Sequence, residues 1–160
     1  MRCFFLRHGQ AFDPSEWRGS DFDRPLTPGG CERMAREAKT IARLGVDPDA
    51  IVCSPLARAR QTACIVAKGL HRSKNIIEDP RLGAAFDAEA FRAVLNEHAD
   101  AKSLMFVGHE PGMGQTVQSL TGARVEFKKG ALACVEVSAD ARAGTLLFLL
   151  PPKALALKTN

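Results

Sequence analysis

Short apolar runs alternate with stretches of helical periodicity along most of the chain, and this alternation restricts the possible folds more than any other property of the sequence. Residues 2–6, 50–53 and 103–107 are apolar runs of strand length, broken off at Gly9, at Ser54-Pro55 and at Gly108. Runs without polar alternation are buried on both faces, as in a sheet covered by helices. Thr27-Pro28 reads as a helix cap with proline at the first helical position. Behind it Cys31, Met34, Ala35, Ala38, Ile41 and Ala42 recur at helical spacing up to Gly45. Ser54-Pro55 repeats that start before an apolar face of Leu56, Ala59, Ala63, Val66, Ala67 and Leu70. Further helices are predicted from near Asp87, with Phe91, Val94 and Leu95, and over Met113, Val117 and Leu120 up to Gly122. Residues 75–78 read as a short third strand, and 132–137 with 145–150 as an antiparallel hairpin around the turn-rich segment 138–144. The expected fold is a three-layer α/β/α sandwich whose central sheet is mostly parallel, with an antiparallel C-terminal portion. Length and the absence of a repeat or linker predict one domain over residues 1–160.

The composition excludes several function classes. Lys and Arg number 22 against 18 Asp and Glu, a net charge of +4. That is a mild excess, not the basic stripe of a nucleic-acid binder, and it suits a partner carrying a few negative charges. No run approaches the roughly 20 apolar residues of a membrane helix, and residues 3–6 are too short for a signal peptide. Five cysteines are scattered without a C-x-x-C pair, and three lie inside apolar segments as small core residues. Such usage suits a reducing compartment, so the expected location is the cytoplasm, with no metal and no cofactor.

The chemistry-bearing residues fall just past the strand ends, where ligands of open α/β sheets bind. Arg7-His8-Gly9 follows the first run, Ser54-Pro55-Leu56-Ala57-Arg58 the second, and Gly108-His109-Glu110-Pro111 the run at 103–107. Each alone has a plain alternative: a strand-end turn, a solvated helix arginine, a core histidine. Together they deliver two imidazoles and two guanidiniums to one sheet edge. That set suits a phosphoryl group, with forks to hold its oxygens and an imidazole to attack phosphorus. His71 and His98 sit near helix ends and read as surface residues. Residues 10–25 form a polar loop of the length that is usually functional or mobile. Trp17 within it either touches a partner or covers the loop's base.

These three motifs, with Ala59-Arg60-Gln61-Thr62-Ala63 and Asp23-Arg24-Pro25-Leu26-Thr27-Pro28-Gly29-Gly30, resemble the histidine phosphatase superfamily, which has the phosphoglycerate-mutase-like fold. The loop motif and small size resemble its SixA-like phosphohistidine phosphatase branch. The resemblance implies that His8 is the nucleophile that becomes phosphorylated. It further implies that Arg7 and Arg58 hold phosphate oxygens, with Arg24 a further substrate-binding candidate, and that His109 stabilises the group in transfer.

One departure matters. Many phosphomonoesterases and mutases of the superfamily carry a general-acid glutamate after a leucine in the segment following the third strand. Here that stretch reads Arg81-Leu82-Gly83-Ala84-Ala85-Phe86-Asp87. An alkoxide needs a proton donor, whereas imidazole, whose conjugate acid has a pKa near ~6.5, leaves readily. The expected substrate is therefore phosphohistidine on a partner protein, in signalling or a phosphorelay. Two alternatives stand beside it. One is a small-molecule phosphatase using Asp13, Asp21, Asp23, Asp87 or Glu110 as substitute acid. The other is a non-catalytic phosphate-binding module.

Overall fold

A computed structural model of the chain describes residues 1–72 and 75–156. Residues 157–160 of the expected domain span lie outside the described residues. Six strands form one sheet: β1 (Arg2–Arg7), β2 (Ala50–Cys53), β3 (Ile76–Glu78), β4 (Ser103–Gly108), β5 (Leu132–Val137) and β6 (Gly144–Leu150). Their order is β3-β2-β4-β1-β5-β6, with β3, β2, β4 and β1 parallel and β5 antiparallel to both β1 and β6. The helices are α1 (Pro28–Arg43), α2 (Ala57–Gly69), α3 (Ala88–Glu97), α4 (Gly112–Thr121) and the short α5 (Pro152–Leu155), which the apolar pattern did not signal. None is long and apolar enough to cross a membrane.

Side-chain alternation along the central strands builds two cores. Cys3 and Phe5 of β1 with Leu104 and Phe106 of β4 face α3 and α4, where Phe5, Phe91 and Phe106 pack ring to ring at 5.1–5.5 Å. Phe4, Leu6, Met105 and Val107 point the other way, onto Met34, Ala38 and Ile41 of α1 and Ala63 and Val66 of α2. This is the expected three-layer sandwich. The Thr27 cap holds as predicted, its hydroxyl accepting from the Gly30 N–H at 3.0 Å. Gly45 and Gly122 adopt left-handed φ just beyond α1 and α4.

The buried stripe of α1 differs from the apolar reading. Ala35 and Ala42 are exposed, and Glu37 takes the inward position at 1% exposure. Neither of its carboxylate oxygens has a hydrogen-bond partner. Gly130, at φ +86°, lies against the carboxylate, where a Cβ would come within 2.8 Å of Oε2. Burial raises the Glu37 pKa from 4.5 to about 7, with Arg33 and Arg36 opposing. A carboxyl whose folded pKa is raised binds more protons in the folded state between the two values. Stability therefore falls as pH climbs through that window and stays lower above it, by on the order of 3 kcal/mol. Glu37→Gln should match the wild type near pH 4.5 and unfold at a higher temperature at pH 8. Melting curves of the two proteins that stay parallel from pH 4.5 to 8 would contradict this.

Candidate active site

Register at the centre of the sheet brings the two histidines together. Arg7 pairs with Gly108 across the parallel β1–β4 ladder, so His8 and His109 leave neighbouring strands on the same edge. The His8 N–H donates to the Gly108 carbonyl at 3.1 Å, and the imidazole centroids lie 5.1 Å apart. β2, on the far side of β4, ends at Cys53 opposite Val107, and the Ser54 N–H continues the ladder onto the Val107 carbonyl. Ser54 is not the cap of α2. That position belongs to Leu56, whose N–H donates to the buried Ser54 hydroxyl at 3.3 Å, and that hydroxyl also lies 2.9 Å from His109 Nε2. A hydroxyl can donate to an unprotonated imidazole nitrogen and accept from a protonated one, so Ser54 supports His109 in either state.

The first turn of α2 supplies Arg58. Its Nη1 donates to the Asp21 carbonyl at 2.9 Å and its Nη2 to the Asp21 carboxylate at 3.1 Å. One turn later the Thr62 hydroxyl donates to the Arg58 carbonyl at 2.7 Å and accepts from the Gly9 N–H at 3.1 Å. That bridge locks the start of α2 against the loop carrying His8. Arg7 donates through Nη1 to the Phe127 carbonyl at 2.6 Å. The Nε atoms of both Arg7 and Arg58 are buried without a partner. Unsatisfied buried donors are costly, and an oxyanion in the adjoining pocket would relieve them. Arg24, also buried, donates to the Asp21 carboxylate at 2.8 Å and to the Phe12 carbonyl at 2.7 Å.

All five candidates from the sequence, Arg7, His8, Arg24, Arg58 and His109, line one pocket of about 400 Å³. Asp21, Glu110 and Lys129 line it as well. Among the described residues no group of three or more His, Cys, Asp or Glu could hold a metal ion.

The hydrogen bonding fixes the His8 tautomer. Its Nδ1 lies 2.8 Å from the Gly9 carbonyl oxygen, which can only accept, so Nδ1 carries the proton and the neutral ring keeps its lone pair on Nε2. Burial lowers the His8 pKa from 6.5 to about 3, opposed by the Gly9 hydrogen bond and reinforced by His109, Arg58 and Arg7. His109 falls to about 4, again chiefly through burial and then through Arg58, with Asp21 opposing. Both imidazoles are neutral near pH 7, the form in which Nε2 of His8 can act as a nucleophile.

The five carboxylates named as substitute acids separate clearly. Asp13, Asp23 and Asp87 do not line the pocket; Asp87 caps α3, accepting from the Glu89 and Ala90 N–H groups. Asp21 lines it but is bound by two arginines, and the hydrogen bond from Arg24 leads in holding its carboxyl below the ordinary range. Glu110 accepts from the backbone N–H groups of Phe127 and Gly114. Ala84 occupies the stretch where the resemblance led one to seek a glutamate, and it offers no proton.

Sequence reasoning did not foresee Asp21 as the partner of Arg58, or the supporting roles of Ser54 and Thr62. The i,i+3 spacing of Asp21 and Arg24 was a usable signal only for the separate bond between those two residues. Lys129 and the Phe127 carbonyl enter from the segment before β5 and had no local signal. Trp17 packs tilted against Phe12, ring centroids 6.0 Å apart, and donates from its indole to the Ser20 carbonyl, so it ties the loop to itself.

Comparison with known proteins agrees with this geometry. Residues 3–85 match the family model described as the histidine phosphatase superfamily (branch 1). An uncharacterized protein of Picosynechococcus sp. is 34% identical over 160 residues, covering 94% of this chain and 95% of that one. Phosphohistidine phosphatase SixA of Escherichia coli is 27% identical over 156 residues, covering 95% and 94% respectively. The solved structure of protein histidine phosphatase SixA complexed with tungstate superposes with a TM-score of 0.87 at 27% identity, over 97% of this chain and 99% of that one.

Proposed function

The chain belongs to the histidine phosphatase superfamily and is SixA-like within it, and from that premise we propose that it hydrolyses phosphohistidine carried on a partner protein. The supporting observation is a neutral His8, its Nε2 free, in a pocket with two partly unsatisfied guanidiniums, where the carboxylates of Asp21 and Glu110 are engaged by arginines and by backbone N–H groups respectively.

Nε2 of His8 attacks phosphorus and the P–N bond to the substrate imidazole breaks, that ring taking its proton from solvent. Water then attacks the phosphohistidine on His8, releasing inorganic phosphate and restoring the free imidazole. Arg7 and Arg58 hold the equatorial oxygens throughout. They are permanently charged forks that neutralise the anion without competing as nucleophiles. His109, its ring centroid 5.1 Å from that of His8, stabilises the group in transfer, with Ser54 supporting it as charge develops. No step calls on a metal or a cofactor. The reading places the protein in signalling or a phosphorelay in the cytoplasm.

The test is kcat/KM across phosphorylated compounds of graded leaving-group basicity at fixed pH. Phosphohistidine, phosphoramidate and aryl phosphates should react. Alkyl phosphates should be slower by roughly the 10²–10⁴-fold that a general acid supplies. A flat series would show a proton donor at work and return the site to the small-molecule phosphatases.

A further inference from the structure

Glu110 is a pocket carboxylate that the proposed chemistry leaves without a task, and its contacts assign it one. Its Oε1 accepts from the Phe127 N–H at 3.0 Å and its Oε2 from the Gly114 N–H at 3.2 Å. The Phe127 side chain is fully buried in the core on the α3–α4 side. The Phe127 carbonyl, one peptide unit on, accepts from Arg7 Nη1 at 2.6 Å. Residues 123–127 have no regular structure, so no ladder holds Phe127 in place. Gly114 leaves room for the carboxylate; a Cβ there would meet Oε2 at 3.0 Å.

We infer that Glu110 is a positioning residue, which clamps the backbone of Phe127 to the start of α4 and thereby aims the Arg7 guanidinium into the phosphate pocket. The inference rests on the reading of Arg7 as a phosphate ligand. Its physical basis is that a carboxylate accepts two N–H groups at once, and charge-assisted bonds of this kind are the stronger ones. A glutamine can satisfy one of the two donors but turns its own NH₂ toward the other. An aspartate keeps the charge but is too short to span both.

The experiment measures tungstate and inorganic phosphate affinity, with steady-state kinetics, for Glu110→Gln, Glu110→Asp, Arg7→Ala and the Arg7→Ala/Glu110→Gln pair. Thermal unfolding confirms that each variant is folded, and Glu110→Asp is the milder substitution should the glutamine protein prove unstable. Both Glu110 variants should bind tungstate about tenfold more weakly, and in the Arg7→Ala background Glu110→Gln should add little, since residues acting through one contact are not additive. The relative rates on good and poor leaving groups should stay as in the wild type.

Unchanged tungstate affinity in the Glu110 variants, or full additivity with Arg7→Ala, would overturn the inference. So would a loss confined to alkyl phosphates, which would make Glu110 the missing acid. If Arg7→Ala itself leaves tungstate affinity unchanged, it is the phosphate-site reading that fails, and the inference with it.

Discussion

Replacing His8 by alanine is expected to abolish turnover, by roughly 10⁴–10⁶-fold, because loss of a nucleophile leaves only binding and electrostatics behind. The fold should survive. The His8 main chain, not its side chain, holds the strand end through the Gly108 carbonyl, and the ring adds one bond to its neighbour Gly9. Activity and thermal unfolding measured on one preparation would check both halves. The same protein offers a direct trap: acid-labile label from a ³²P phosphodonor should appear on the wild type and not on His8→Ala. Label retained on the alanine variant would put the nucleophile elsewhere, and His109 would be the next residue to replace.

Arg58→Lys is expected to lose about 10²-fold in kcat/KM although it preserves the charge. The arginine fork engages the Asp21 carbonyl and carboxylate with its two terminal nitrogens, and its buried Nε has no hydrogen-bond partner. A lysine ammonium has one nitrogen and cannot satisfy Asp21 and a phosphate oxygen in the same geometry. The substitution also leaves Asp21 with a single firm partner, Arg24, so part of the loss should appear as a weakened KM. A lysine variant near wild-type rate would mean that Arg24 and Arg7 suffice to hold the phosphoryl group.

The sequence made legible whatever depends on local pattern. Apolar runs located the strands, Thr27-Pro28 located the start of α1, and Asp87 capped α3 as its position predicted. Strand ends are where side chains meet in such a sheet, so Arg7, His8, Arg58 and His109 can be gathered from the sequence alone. Ser54 misled because Ser-Pro is a sound local cap signal, but its hydroxyl closes a short turn onto the Leu56 N–H while contacting an imidazole 55 residues away, and the helix begins only at Ala57. Glu37 misled for the opposite reason. Periodicity marks where apolar side chains can go, yet the buried stripe of α1 is the narrower one through Met34, Glu37, Ala38 and Ile41, which leaves two alanines outward and one carboxylate inward. The bonds from Asp21 to Arg58 and from Phe127 to Arg7 span 37 and 120 residues, and no local propensity encodes contacts of that range.

The pairing of β1 with β4 has a consequence for how such a protein can diversify. The gap between the two imidazoles is inherited from the spacing of adjacent strands, so it is as fixed as the sheet itself and needs no loop to maintain it. The loop at residues 10–25 reaches the pocket through Pro14, Asp21 and Arg24, with Asp21 bonded to the Arg24 and Arg58 guanidiniums. Insertions there, or exchange of its aromatic residues, would reshape what can approach phosphorus while leaving the distance between the reacting rings untouched. The spacing of the two rings and the rim of the pocket are thus set by separate parts of the chain, and the rim can drift through evolution so long as Asp21 and Arg24 keep their places.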